Sequence, residues 1–277
     1  MNSRLLFLRR FTQGRHGAGT AHTTPRSRFS TLLRGAGFTA SLTTAYTVGS
    51  LYPPDLATFI SPRLAPPAPL LGTPEARAHI DTLEDRLQNL PLLTELRNRE
   101  DKHEWYECRP YTDIPDEVRV NNLTAGALSG PGRLAVRPFI RVKHDESEAW
   151  GFIHLGRGLC GHDGIVHGGL MATLLDESMG RVAFFNLPNN IALTANLTLD
   201  YRAPTKADQF VVFKCKLEST KGRKAVVSSR VEDMQGKVLI EASAIFVEPK
   251  YANLLKATSS VGVLVGTKAE PPVSAPV

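Results

Sequence analysis

The sequence predicts an α+β fold in which one long helix is embedded among antiparallel strands, with a helical extension ahead of it. Segments of strand character stand on both sides of a single helical segment between residues 128 and 249. That helix opens on a glycine pair, Gly168-Gly169, and the strands after it alternate apolar and polar residues. Leu134–Lys143 and Glu148–Leu155 are the expected strands before the helix. Ala192–Tyr201, Gln209–Thr220, Lys224–Asp233 and Val238–Val247 are those after it. In Ala192–Tyr201 the alternation assigns Leu193, Ala195, Leu197, Leu199 and Tyr201 to a buried face, and Thr194, Asn196, Thr198 and Asp200 to the other. Gln235-Gly236 is the expected hairpin turn between the last two strands.

The 54 residues at the start of the chain differ from the rest. They hold seven arginines (Arg4, Arg9, Arg10, Arg15, Arg26, Arg28, Arg34), no lysine and no acid. The remainder has 26 basic against 27 acidic residues, so the basic character belongs to this segment and the body has no footprint for nucleic acid. Arginine and hydroxyl residues without acids, with Leu5, Leu6, Leu8 and Phe11 able to share a helix face, read as a mitochondrial leader over 1–34; a disordered basic tail has the same composition. Residues 35–54 are uncharged and long enough for a single-pass anchor, which would place the protein at the inner membrane. Their Gly, Ser and Thr content equally suits a continuation of the leader. A proline-rich linker follows over 55–73. Within the helical extension, 74–127, Pro74 opens a helix on which Ala76, Ile80, Leu83, Leu87 and Leu90 form one stripe, and Pro91 ends or kinks it. The tail, 250–277, is small-residue and proline-containing, and is expected to be flexible. Cys108, Cys160 and Cys215 are few and scattered, which describes thiols rather than a disulfide framework.

The chemistry concentrates where the helix begins, at Gly161-His162-Asp163-Gly164-Ile165-Val166-His167-Gly168-Gly169. A helix starting at the glycine pair presents backbone N–H groups at its positive end, and glycine lets a substrate carbonyl come close. Such donors hold the oxyanion that forms when a nucleophile attacks. His167 can orient this loop or polarise the carbonyl. Asp176 lies mid-helix, where aspartate is a poor helix former, on a stripe of small residues that includes Gly169 and Gly180; a ligand, a second chain or a salt bridge would each account for it. Gly168 and Asp176 are eight residues apart, about 12 Å along one helix, so they cannot serve the same carbonyl. A site that uses both takes Gly168 from one subunit and Asp176 from another, which requires an isologous dimer at least.

With these residues the chain resembles the hotdog-fold acyl-CoA thioesterases of the PaaI-like, HGG-motif group, and its fungal mitochondrial members in particular. His167-Gly168-Gly169 with an aspartate nine residues after the histidine carries the resemblance. Thr194-Ala195-Asn196-Leu197, Tyr201-Arg202-Ala203-Pro204 and the lead-in Gly158-Leu159-Cys160-Gly161-His162 extend it over roughly Leu123 to Pro249. The resemblance implies a sheet wrapped around the central helix over 128–249, an acyl-CoA substrate, no cofactor, and a dimer or dimer of dimers. It implies that Asp176 is the catalytic carboxylate, as nucleophile or as base for water. It implies that His167 and the Gly168 N–H polarise the carbonyl, that Thr194 positions the nucleophile or water, and that Gly169 and Asn196 contact substrate. Lys221-Gly222-Arg223-Lys224 lies where relatives often meet CoA phosphates, although a solvated hairpin tip reads the same way.

Two further groups are set aside. Glu177 lies about 100° around the helix from Asp176, and a surface pair with Arg181 accounts for it. Cys160, His162 and His167 make a poor zinc site on a glycine loop, so no metal is expected. Hydrolysis of an acyl-CoA thioester is the leading expectation; a hotdog hydratase or dehydratase and a non-catalytic acyl-CoA-binding scaffold are the alternatives.

Overall fold

A computed structural model describes residues 28–51, 67–112, 114–162 and 164–252. The chain divides into two compact units, 1–60 and 61–277. The Leu5, Leu6, Leu8 and Phe11 face of the leader, residues 52–66 of the anchor and linker, and 253–277 of the tail lie outside the described residues.

In the first unit α1 spans Arg28–Leu51 and crosses the expected boundary between leader and anchor. Among the described residues no helix, α1 included, is long and apolar enough to cross a membrane. The reason lies in its hydroxyls. Ser41, Thr43, Thr44 and Thr47 donate back to carbonyls one turn earlier at 2.8–2.9 Å, satisfying themselves but adding no apolar surface.

The second unit begins with α2, Pro74–Gln88, where the Thr73 hydroxyl accepts from the Ala76 N–H at 3.2 Å and proline takes the first turn. Pro91 both stops this helix and starts α3, Pro91–Asn98. Next come β1 (Trp105–Cys108), the short helix α4 (Asp116–Arg119) and a π-turn, Leu123–Ala127. Then follow β2 (Phe139–Lys143), β3 (Glu148–Leu155), a small ribbon of β4 (Cys160–His162) and β5 (Ile165–Val166), and α5 (Gly168–Asn186). The last four strands are β6 (Leu193–Tyr201), β7 (Gln209–Lys221), β8 (Lys224–Asp233) and β9 (Val238–Val247). One antiparallel sheet runs β1-β2-β3-β7-β8-β9-β6, and α5 lies on it; this is the hotdog arrangement.

The region expected to be a helical extension therefore supplies an edge strand, β1, to the sheet, and the sheet starts ahead of residue 128. β2 is shorter than expected because Pro138, which has no N–H, ends its pairing at Phe139.

The sheet is covered on both faces over β2, β3 and β7. Met171, Leu174, Leu175, Met179 and Val182 of α5 pack on one face with Ile153, Val211, Phe213 and Phe246. Leu83, Leu87, Leu90, Leu93 and Leu96 pack on the other with Phe139, Phe152, Phe210 and Val212. Each buried leucine contributes roughly 1.5–3 kcal/mol, so the N-terminal helices are part of the folded domain rather than an appendage. Double cover explains why β3 reads Phe152-Ile153-His154-Leu155 without a polar face.

His154 sits in the outer layer, 2 % exposed, edge-on to Phe210 with ring centroids 5.0 Å apart. Burial pushes its imidazole down to about 4; Asp208 opposes the fall, and Arg86 and His79 add to it. Asp208 Oδ1 stands 3.5 Å from Nε2, too far for a good hydrogen bond. As pH falls from about 6.5 toward 4 the unfolded chain takes up this proton and the folded chain resists it, so stability drops through that window. The loss is on the order of 3 kcal/mol. His154→Phe is expected to flatten the melting temperature over that range; equal acid sensitivity in both proteins would place its source elsewhere.

Candidate active site

The entry to α5 is built around His167. Its Nδ1 accepts from the Gly169 N–H at 3.0 Å, so the imidazole caps the helix. With Nδ1 accepting, the neutral ring carries its proton on Nε2, which becomes a donor on an exposed side chain. The neighbouring glycines are what this packing requires. A Cβ on Gly169 would lie 3.0 Å from His167 Cε1, and one on Gly161 2.8 Å from His167 Cδ2. Gly168 differs: a Cβ there would meet the Tyr201 hydroxyl at 3.4 Å, an ordinary contact, so folding alone does not demand glycine. The Gly169 N–H is thus committed to His167. The Gly168 N–H finds no partner among the described residues.

Tyr201 closes this end by donating to the Gly168 carbonyl at 2.8 Å. Gly168, Met171, Tyr201 and Pro204 line a concavity of about 360 Å³.

Asp176 opens into a different space, a cavity of about 260 Å³ with Ile140, Ile153, Leu174, Phe184 and Phe246 on its walls. The Thr194 hydroxyl donates to Asp176 Oδ1 at 2.8 Å. The strand alternation would have pointed Thr194 away from the helix. A β-bulge in the β6–β9 pairing between Thr194 and Asn196 prevents this. The extra residue shifts the phase, so Ala192 and Thr194 face inward before the bulge and Leu197 and Leu199 after it. Asn196, beyond the bulge, keeps the outward face expected of it, where its Oδ1 accepts from Thr198 at 3.3 Å, and it does not line the Asp176 cavity. β6 is also an edge strand, with Leu193 43 % and Tyr201 55 % exposed, so the buried face expected for it is only partly covered within one chain.

The basic turn Lys221-Gly222-Arg223-Lys224 joins β7 to β8, with Gly222 at φ 59°. Register places it near the Thr194 end of β6: Ala225 pairs with Phe246, which pairs with Thr194. Two strand spacings make that about 10 Å. Arg223 donates to the Glu248 carbonyl at 2.9 Å, and all four residues are exposed.

Glu177 departs from its expected surface pair. Tyr111 donates to its Oε2 at 2.9 Å and Thr124 to its Oε1. Burial pushes the carboxyl up from its ordinary value, the two hydroxyls oppose this, and the Asp176 charge adds to the rise. Arg181 turns instead into the core, to Glu146 Oε2 at 3.0 Å and the Tyr106 hydroxyl at 2.9 Å. Asp176 and Glu177 line one cavity despite their angular separation, because that cavity wraps round the helix. Tyr111 and Thr124 went unseen because neither belongs to a recognisable motif. Among the described residues no cluster of His, Cys, Asp and Glu could hold a metal.

Residues 163–240, which carry the Gly168, Asp176 and Thr194 positions, match the thioesterase superfamily family model. A UPF0644 protein of Schizosaccharomyces pombe is 35% identical over 192 residues, covering 66% of this chain and 72% of that protein. This chain belongs to the thioesterase superfamily. A mitochondrial protein of Candida albicans is 32% identical over 144 residues, or 50% of this thioesterase-superfamily chain and 65% of its own length. The acyl-coenzyme A thioesterase THEM4 of Rattus norvegicus is 37% identical over 94 residues, or 34% of this chain and 40% of its own. This superfamily member thus spans just under two thirds of the Candida protein and two fifths of the rat enzyme.

Proposed function

We propose that the chain hydrolyses acyl-CoA thioesters to the free acid and CoA, at sites shared between two subunits. The observation that carries this is Asp176, held by the Thr194 hydroxyl, at the edge of an apolar cavity. The thioester carbonyl is held by His167 Nε2–H and the Gly168 N–H of one subunit. The second subunit's Asp176 takes a proton from the attacking water, or attacks through its own oxygen to form an acyl anhydride that water then hydrolyses; both routes need the charged carboxylate. Thr194 occupies Oδ1 and leaves Oδ2 for the reaction. The carbon–sulfur bond breaks, and CoA leaves as a thiolate that is then protonated. This chemistry calls for no cofactor.

Sharing between subunits is supported by the separate spaces at Gly168 and Asp176, and by the open edge of β6, along which a second copy can pair. The acyl group enters the apolar cavity, and Lys221, Arg223 and Lys224 stand on the rim for the CoA phosphates. The arginine-rich leader and the mitochondrial Candida relative support a mitochondrial location. Release of free thiol from a panel of acyl-CoAs tests the activity. Turnover of at least one chain length is expected; binding of acyl-CoA with no thiol released would make the protein a carrier or scaffold.

A further inference from the structure

Hydrolysis as described leaves Glu177 without a role, yet its surroundings are built rather than incidental. Its two hydroxyl partners, Tyr111 and Thr124, come from the segment between β1 and β2. Tyr111 has a left-handed backbone, φ 61°, a conformation that a non-glycine residue keeps only where neighbours hold it. Thr124 is 3 % exposed within the π-turn, and Asn122 fixes that turn by accepting from the Ala125 N–H at 2.7 Å. Pro110, Tyr111 and Asn122 all form wall of the cavity onto which Asp176 opens. A carboxyl that merely pinned a surface loop would not need its partner to be both strained and part of that wall.

We propose that Tyr111, held in place by Glu177, is a specificity-determining residue that limits the length of acyl chain the cavity accepts. The proposal rests on the reading of that cavity as the acyl site. At about 260 Å³ the cavity is small for a ligand site, so each wall residue restricts what fits. Glu177 acts through Tyr111 and is a positioning residue, while Asp176 remains the group that reacts.

The test uses S-alkyl-CoA thioethers of increasing chain length, which bind but cannot be hydrolysed, titrated calorimetrically into the full-length protein. Affinity for wild type is expected to rise about fourfold per methylene and then stop at a cutoff length. In Tyr111→Ala the rise should continue for at least two further methylenes, making the longer ligands about 16-fold tighter than in wild type. Tyr111→Phe, which keeps the ring and loses the hydrogen bond to Glu177, should extend the rise by about one methylene, less than Tyr111→Ala. If Tyr111→Ala does not fold, Tyr111→Leu takes its place with a smaller extension expected. A cutoff unchanged in the shortened variant, or weakening that is equal at every length, overturns the proposal while leaving the acyl site intact. Failure of wild type to bind any thioether overturns the acyl-site reading itself, and the proposal with it.

Discussion

Asp176→Asn is expected to lower kcat by about 10²–10⁴-fold while leaving the melting temperature and thioether affinity within error of wild type. Asparagine keeps the shape of the side chain, and its amide oxygen can still accept from the Thr194 hydroxyl now bonded to Oδ1 at 2.8 Å. What it loses is the charge needed to take a proton or to attack. The neighbouring carboxyl supplies the control. Glu177 is engaged by Tyr111 and Thr124, so Glu177→Gln should retain kcat within severalfold on short acyl-CoAs. The opposite ranking of the two variants would move the reacting carboxylate one residue along α5.

Gly168→Val is the second large effect, expected to cost about 10²–10³-fold, the range for removing a donor from an oxyanion hole. The fold has room for the first added carbon, since a Cβ at this position meets Tyr201 at ordinary distances. The branched methyls crowd the space a carbonyl must enter. Unchanged thermal melting with lost turnover is the expected pair of results. Turnover near wild type would mean that the Gly168 N–H does not face the reacting carbonyl.

The reach of sequence reasoning follows from how local each signal is. The bounds of β3, β8 and β9 were legible because composition and turn residues mark both ends, as at Gln235-Gly236, where Gly236 has φ 81°. The helix from Pro74 was legible because its leucine stripe repeats with helical spacing and is buried as a stripe. β1 was not, because four residues carry too little pattern and its strand partner, β2, lies over thirty residues away. The bulge at Ala195 was invisible to alternation, and it reverses the inward face for part of β6, which is what delivers Thr194 to Asp176. Glu177 was misjudged because Arg181, one turn on, is the obvious local partner. The guanidinium is drawn instead to Glu146 and Tyr106, contacts made only in the folded chain.

The central claim is that each site takes Gly168 from one subunit and Asp176 from its partner, and mixed oligomers test it directly. Asp176→Asn and Gly168→Val, each inactive alone, are unfolded together in equal amounts and refolded, with different tags to verify subunit exchange. About half of the dimers should be mixed, and each mixed dimer has one site with both substitutions and one with neither. Acyl-CoA hydrolysis should therefore return to about a quarter of wild type. No recovery in verified mixed dimers would mean that each site is completed within one chain, contradicting the account.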